Sequence, residues 1–258
     1  ERLWEPMTIA TLNTPIDQAS ARLFAQVLRR GFLAWGDDAR LAIPRAGLSR
    51  LLAPAQSYIE RNGGVVRTGA TVRSVRRGTG AYAIALSSGD LIESDAIIAA
   101  VPRASLRSVL DPTLQSGIGL EAPDVAAPIV SLYLWYDHNP HDLPMLCGMI
   151  GTRIQWVFNR RKIERSGETE RKNGLISCTI SAAFAEAATE ASEIVATADA
   201  ELRRAIPSLA SAHLLESLVL KERHATFLAT PTHERQRPGP TTRIPGLVLA
   251  GDWTDTSL

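Results

Sequence analysis

The sequence predicts an α/β chain with some α+β character. Three observations predict it. Helical spacing of apolar residues dominates the first sixty positions; two-residue alternation takes over from Val65; and two short apolar runs, Ala96–Val101 and Leu247–Ala250, end in Pro or Gly. Such runs have the pattern of strands buried inside a layered sheet. The 258 residues suffice for one large domain or two ordinary ones, and 45% apolar with 21% charged residues is a globular mix. Aromatics make up 5%, which leaves the core to Leu, Ile, Val and Ala. A net charge of +1 offers no basic face, so no nucleic-acid partner is expected. Cys147 and Cys178 lie in apolar stretches and read as buried free thiols of a reducing compartment. No run approaches the roughly 18–20 apolar residues of a membrane span, and with Glu1-Arg2 and no apolar stretch at the start no secretory signal is expected.

The first helix is expected to start at Thr14-Pro15-Ile16-Asp17, with Thr14 as cap, Pro15 at the first helical position and Gly31 as the stop. Leu23, Phe24, Val27 and Leu28 supply its apolar stripe. A second helix over Ser49–Asn62 presents Leu48, Leu51, Leu52, Ala55 and Ile59 on one face, with Pro54 as a kink or a delayed start. Strands follow at Val65–Thr68, Thr71–Arg76, Tyr82–Leu86 and Leu91–Ile92, the last two a hairpin across Ser88-Gly89-Asp90. After the Ala96–Val101 run, Pro102 opens a short helix toward Leu110. Ile129–Tyr136, Met145–Ile150, Ile154–Phe158, Leu175–Ser181 and Ser217–Lys221 read as strands. Asn159–Asn173 reads as a charged loop and Glu186–Ala205 as a helix. The chain opens on Glu1 rather than Met and stops just past its last strand. A missing covering helix and a longer parent protein are therefore expected.

Three segments carry chemistry. Leu247-Val248-Leu249-Ala250-Gly251-Asp252-Trp253-Thr254 is a buried strand delivering a turn to the carboxyl edge of a sheet, where ligands bind in open α/β folds. Gly251 permits close backbone approach, and the Asp252 carboxylate can accept hydrogen bonds from sugar-like hydroxyls. Gly47–Val75 is helix, Gly-Gly, strand, Gly, strand. Asp95–Pro102 is a buried strand ending in small residues before a proline. Taken singly, each is compatible with ordinary α/β packing; their order and spacing are the stronger signal. Asp137, His138, His141 and Asp142 sit in a Pro-containing loop whose spacing is a poor metal-ligand pattern. Gly78-Thr79-Gly80 and Gly117-Ile118-Gly119 superficially fit a dinucleotide fingerprint. The first lies in a hairpin turn and the second follows polar residues, so both are rejected. No nucleophile elbow supports a hydrolase.

Together with "LWEP" (Leu3–Pro6), "LNTP" (Leu12–Pro15), "LYLWYD" (Leu132–Asp137) and "QWVFNR" (Gln155–Arg160), these segments resemble the squalene-associated FAD-dependent desaturases. These are also called hydroxysqualene dehydroxylases, within the flavin amine oxidase superfamily. The resemblance runs over essentially the whole chain. It implies part of a glutathione-reductase-type FAD domain interleaved with a mixed-sheet-plus-helix substrate domain. Residues 1–46 would be the helical part of the substrate domain and 47–103 an FAD-domain segment. Residues 104–243 would be the substrate-binding domain, and 244–258 the last FAD-domain strand and Gly-Asp turn. The cofactor implied is FAD, with Val72 at the adenine, Ala100 and Pro102 beside the pyrophosphate, and Gly251, Asp252, Trp253 and Thr254 on the flavin side. Trp135, Trp156 and Phe158 are candidate walls of an apolar substrate pocket; ordinary core packing is an equal alternative. No catalytic residue is assigned and no metal is expected.

The family's N-terminal Gly-rich phosphate unit is absent from this chain, so an FAD-binding segment of the same protein is an expected partner. The substrate implied is a long isoprenoid, dehydroxylated reductively in hopanoid biosynthesis. A carotenoid-type (phytoene) desaturase, an amine oxidase and a noncatalytic lipid-binding protein remain as alternatives. The expected location is cytoplasmic. Basic Arg160-Arg161-Lys162 and Arg171-Lys172 leave open a peripheral contact with the inner face of the membrane.

Overall fold

The computed structural model describes residues 3–33, 42–120, 125–163 and 174–256. Helices α1 (Trp4–Leu12) and α2 (Ala21–Val27) lead through a π-helical turn (Leu28–Phe32) to α3 (Leu48–Arg61). Strands β1 (Val72–Arg77), β2 (Tyr82–Leu86), β3 (Leu91–Ser94) and β4 (Ile97–Ala99) precede short helices α4 (Arg103–Val109) and α5 (Pro112–Gly117). Then come β5 (Ala126–Tyr136), β6 (Leu146–Gly148), β7 (Trp156–Asn159), α6 (Arg160–Ile163), β8 (Leu175–Ser181), α7 (Ala191–Ala205) and β9 (Leu214–Phe227). Helix α8 (Pro231–Arg235) and strand β10 (Leu247–Leu249) close the order. Two compact units divide these elements. One comprises Glu1–Pro54 with Ala126–Thr230; the other comprises Ala55–Val125 with Pro231–Leu258. The expected boundaries therefore shift: α4, α5 and 231–243 group with β1–β4 and β10, because Leu106, Leu110 and Leu114 share a core with Val75, Tyr82 and Leu249.

The first unit is built on a five-stranded antiparallel sheet in the order β6-β7-β8-β5-β9. Strict alternation along β5 buries Val130, Leu132, Leu134 and Tyr136 on one face. Helix α7 covers that face with Ile194, Ala198 and Leu202, the i, i+4, i+8 stripe of an amphipathic helix. Cys147 and Cys178 both flank Val157 from strands on either side of it. Two strand spacings put them about 9–10 Å apart, beyond the reach of a disulfide. Both are free, and burial raises the Cys178 thiol pKa.

The "LNTP" segment is a clamp rather than a helix start. Asn13 ends α1 in the left-handed region (φ 48°), and its buried amide Nδ2 donates to the Ala127 carbonyl at 3.1 Å and to Thr226 Oγ1 at 2.9 Å. Its Oδ1 accepts the Ala182 N–H at 2.5 Å. Thr14 is fully buried; its hydroxyl donates to the Leu12 carbonyl and accepts from the Ala229 N–H. Helix α2 consequently starts later than expected, capped by Ser20, whose hydroxyl accepts the Leu23 N–H. Gly31 lies inside the π-helical turn instead of stopping a helix. Val65–Thr68 forms no strand, and α7 starts at Ala191 rather than Glu186.

The loop after β5 is held by carboxylates. Asp137 accepts the His213 N–H at 3.1 Å, and Asp142 accepts both the N–H and the hydroxyl of Ser208. The His213 N–H holds the Asp137 pKa below its ordinary value, and the Ser208 hydroxyl does the same for Asp142. Because both folded values lie below the unfolded ones, the stabilisation is present above the ordinary Asp pKa and lost as pH falls below it. The melting temperature is expected to decline as pH drops through about 3.9, and Asp142→Asn should flatten that decline in a pH series of thermal melts. No group of three or more metal-ligating side chains occurs among the described residues. No described helix is long and apolar enough to cross a membrane.

Candidate functional site

In the second unit β10 pairs with β4 in parallel, Leu247 against Ile97, Val248 against Ile98 and Leu249 against Ala99. Leu247, Leu249 and Ala99 are buried in that unit's core. The expectation of strands buried on both faces is corrected. Ile98 (73% exposed) and Val248 (39% exposed) stand opposite one another on an open face, because only the other side is packed by Leu106, Leu114 and Trp253.

The two strands end side by side, and the Ala250 N–H donates to the Ala99 carbonyl at 3.0 Å. Ala100 and Pro102 follow β4, and Gly251 and Asp252 follow β10; all four are exposed. One sheet edge therefore offers bare backbone from two strand ends beside one carboxylate. This is the crevice position at which open α/β sheets bind ligands.

Gly251 has φ +143°, and a Cβ there would meet the Trp253 ring at 2.8 Å from Nε1 and 3.0 Å from Cδ1. The ring folds back beneath the turn, and its Nε1–H donates to the Val101 carbonyl at 3.0 Å. Thr254, fully buried, donates its hydroxyl to the Gly251 carbonyl at 2.7 Å. The side chains of Trp253 and Thr254 point inward and brace the turn, since a buried indole N–H or hydroxyl needs a partner and the nearest is backbone carbonyl. Arg237 braces it from the other side, with Nη2 donating to the carbonyls of Asp252 (3.0 Å) and Thr254. Nothing in the local sequence pattern singles out Arg237. Val72 opens β1, exposed and paired to Leu86, on a separate three-stranded sheet of the same unit. Gly78–Gly80 is the β1–β2 turn and Gly117 ends α5, so neither glycine pair follows a buried strand into a helix.

In the first unit Trp135, Trp156 and Phe158 lie on the sheet face opposite α7, each half-buried. Register aligns Trp156 with Thr179 and Ser131, and Phe158 with Ser177 and Tyr133. Leu218 and Leu220 on β9 complete the two rows. A cavity of about 410 Å³ lies over part of this face, with Ser131, Tyr133, Phe158, Ser177 and Thr179 in its lining and the 43–48 segment across it. The hydroxyl-bearing residues were not anticipated, although alternation along β5 places Ser131, Tyr133 and Trp135 on one face. Of the basic cluster, Lys162 is exposed and donates to the carbonyls of His141 (3.0 Å) and Leu143 (2.6 Å). Arg171 and Lys172 lie outside the described residues.

The same fold occurs in solved oxidoreductases. An oxidoreductase from Methanosarcina mazei superposes with a TM-score of 0.71 at 15% identity, over 97% of this chain and 58% of that one. A redesigned putrescine oxidase superposes with 0.66 at 15% identity, over 96% and 59%. The model of the family "Flavin containing amine oxidoreductase" matches residues 13–258, and the chain belongs to that family. Curated relatives named hydroxysqualene dehydroxylase are 32% identical in Rhodopseudomonas palustris and 30% identical in Sinorhizobium fredii. Each match takes in 100% of this chain and 58% or 57% of the relative, so the chain spans somewhat more than half their length.

Family membership implies FAD, and the edge formed by residues 99–102 and 250–252 fits it. The backbone is bare on both strand ends, a side chain at position 251 would strike Trp253, and Asp252 presents the acceptor that a polyhydroxylated chain needs.

Proposed function

We propose that this chain is part of an FAD-dependent oxidoreductase acting on a long isoprenoid, and that the whole protein reductively dehydroxylates hydroxysqualene to squalene. The observation that carries the reading is the match of the whole chain to somewhat more than half of two relatives of that name, at 30% identity or above. The apolar rim of the first unit's sheet supports a hydrocarbon substrate: Trp156, Phe158, Leu218 and Leu220 are all half-buried or exposed there.

When bound, FAD supplies the hydride chemistry. The residues of this chain bind and orient. Ala100, Pro102 and Gly251 offer backbone at the cofactor edge, and the Asp252 carboxylate accepts from the cofactor's hydroxyls. Trp253, Thr254 and Arg237 hold that turn. Val72 offers a strand edge to the adenine end. Phe158 walls the cavity, and Trp135 and Trp156 extend the apolar surface beside it on the same face, which shields a reactive allylic centre from water. The remaining length of the relatives supplies the phosphate-binding unit that completes the site. The protein is cytoplasmic and meets the inner face of the membrane peripherally, where isoprenoids partition; fractionation of the full-length protein entirely away from membranes would remove this part.

The test is anaerobic turnover by the full-length protein with chemically reduced FAD. Hydroxysqualene is expected to give squalene, and phytoene and amines to remain unchanged. Hydroxysqualene recovered intact would end the reading.

A further inference from the structure

On the open face of the five-stranded sheet, adjacent strands β5 and β8 bring four hydroxyl-bearing residues together. Ser131 stands directly opposite Thr179, and Tyr133 opposite Ser177, on the face away from α7. Directly opposed side chains have Cβ atoms about 5 Å apart. The four residues therefore form a square of side-chain positions on the adjacent strands β5 and β8. Outward on β7 the same rows continue with Trp156 and Phe158, and on β9 with Leu220 and Leu218.

All four residues line the cavity of about 410 Å³. Each is half-buried, and their side-chain hydroxyls have no hydrogen-bond partner among the described residues. Half-buried hydroxyls with no partner in the protein leave donors and acceptors available to a ligand. Arg160, also in the lining, has a partner of its own.

We infer that this square is a recognition site for a neutral alcohol carried on an apolar chain. The hydroxyls of Ser131, Ser177 and Thr179 hold the substrate's oxygen while the aromatic and leucine rim takes the hydrocarbon on either side. The inference deepens the proposed function and rests on it for the identity of the alcohol. A substrate that is purely hydrocarbon would leave the square without partners. A site built to bond a hydroxyl rejects the analogue lacking it more strongly than an apolar site rejects the analogue that has it. The square therefore selects the oxygenated isoprenoid over the deoxygenated product.

The experiment uses the full-length protein loaded with FAD, wild type and the triple variant Ser131→Ala, Ser177→Ala, Thr179→Val. These changes keep strand-compatible shapes on a partly open face, and circular dichroism checks the fold. Binding of farnesol and of the matched hydrocarbon lacking its hydroxyl is followed by tryptophan fluorescence, with Trp135 and Trp156 adjacent to the square. The wild type is expected to prefer the alcohol. The triple variant should lose that preference by roughly tenfold, the worth of one or two neutral hydrogen bonds, with hydrocarbon affinity unchanged or improved. Equal weakening of both ligands, an unchanged preference, or a wild type without preference would overturn the inference. Hydroxysqualene turnover is measured in parallel on the wild type. Its absence with the alcohol preference intact strikes the proposed function alone; its presence without any preference strikes the square alone.

Discussion

Gly251→Ala is expected to strip the full-length protein of its flavin and to destabilise the second unit by about 3 kcal/mol. Two independent effects add. The φ of +143° lies where an L side chain is strained, at a cost of roughly 1–3 kcal/mol. The new methyl would also press on the Trp253 ring, 2.8 Å from Nε1. That ring cannot yield cheaply, because it is buried and its N–H holds the Val101 carbonyl. Moving it opens the joint between the ends of β4 and β10, the edge proposed to meet the cofactor. Flavin content per protein, read from visible absorbance, should fall more than tenfold, and the urea midpoint should drop. Trp253→Ala in the Gly251→Ala background should relieve the contact and leave the backbone strain, so the double variant should cost less than the sum of the singles. A Gly251→Ala protein with wild-type flavin content and midpoint would show that the turn does not shape the site.

Asn13→Leu should have an effect of similar size on stability, in the first unit, without touching the cofactor edge. The substitution removes two donated bonds and one accepted bond. It takes the partner from the half-buried Ala182 N–H and from the buried Ala127 carbonyl, at about 1–3 kcal/mol for each unsatisfied group. It also forces a branched side chain into the left-handed region at φ 48°, where Asn is tolerated. A loss of about 3–5 kcal/mol is expected by urea unfolding. Asn13→Gly separates the contributions: it keeps the backbone conformation easy and removes only the amide, so it should lie between wild type and Asn13→Leu. If Asn13→Gly leaves the midpoint at the wild-type value, the amide is not the clamp described above.

Residues that were conspicuous in the sequence divided into two kinds once their surroundings were known. The "LNTP" and "QWVFNR" segments stand out as motifs, yet Asn13, Thr14, Gln155 and Asn159 hold strands and loops together. Gln155 Oε1 accepts the Ser181 N–H at 2.7 Å, and Asn159, fully buried, reaches the carbonyls of Pro140 and Leu143. Within "QWVFNR" the alternation of a strand sends Trp156 and Phe158 to the open face and Val157 and Asn159 inward. Thr14 shows why the helix start was misplaced. A threonine before proline satisfies the local capping rule, but a backbone N–H 215 residues away takes its hydroxyl instead. Arg237 and the square of Ser131, Tyr133, Ser177 and Thr179 had no local signature, because each depends on partners brought from distant strands.

The sequence by itself determined the periods and the punctuation: where apolar residues recur, where glycine and proline end a run, and hence most strands and the turn at Gly251. These are properties of neighbours along the chain, and short-range sterics and solvation decide them. Only the tertiary structure decided which strand lies beside which, that β10 runs parallel to β4, and which way Trp253 and the hydroxyls of the first unit's sheet point. Those outcomes depend on which buried polar groups must find partners across more than a hundred residues of chain, and no local window of sequence contains both ends of such a bond.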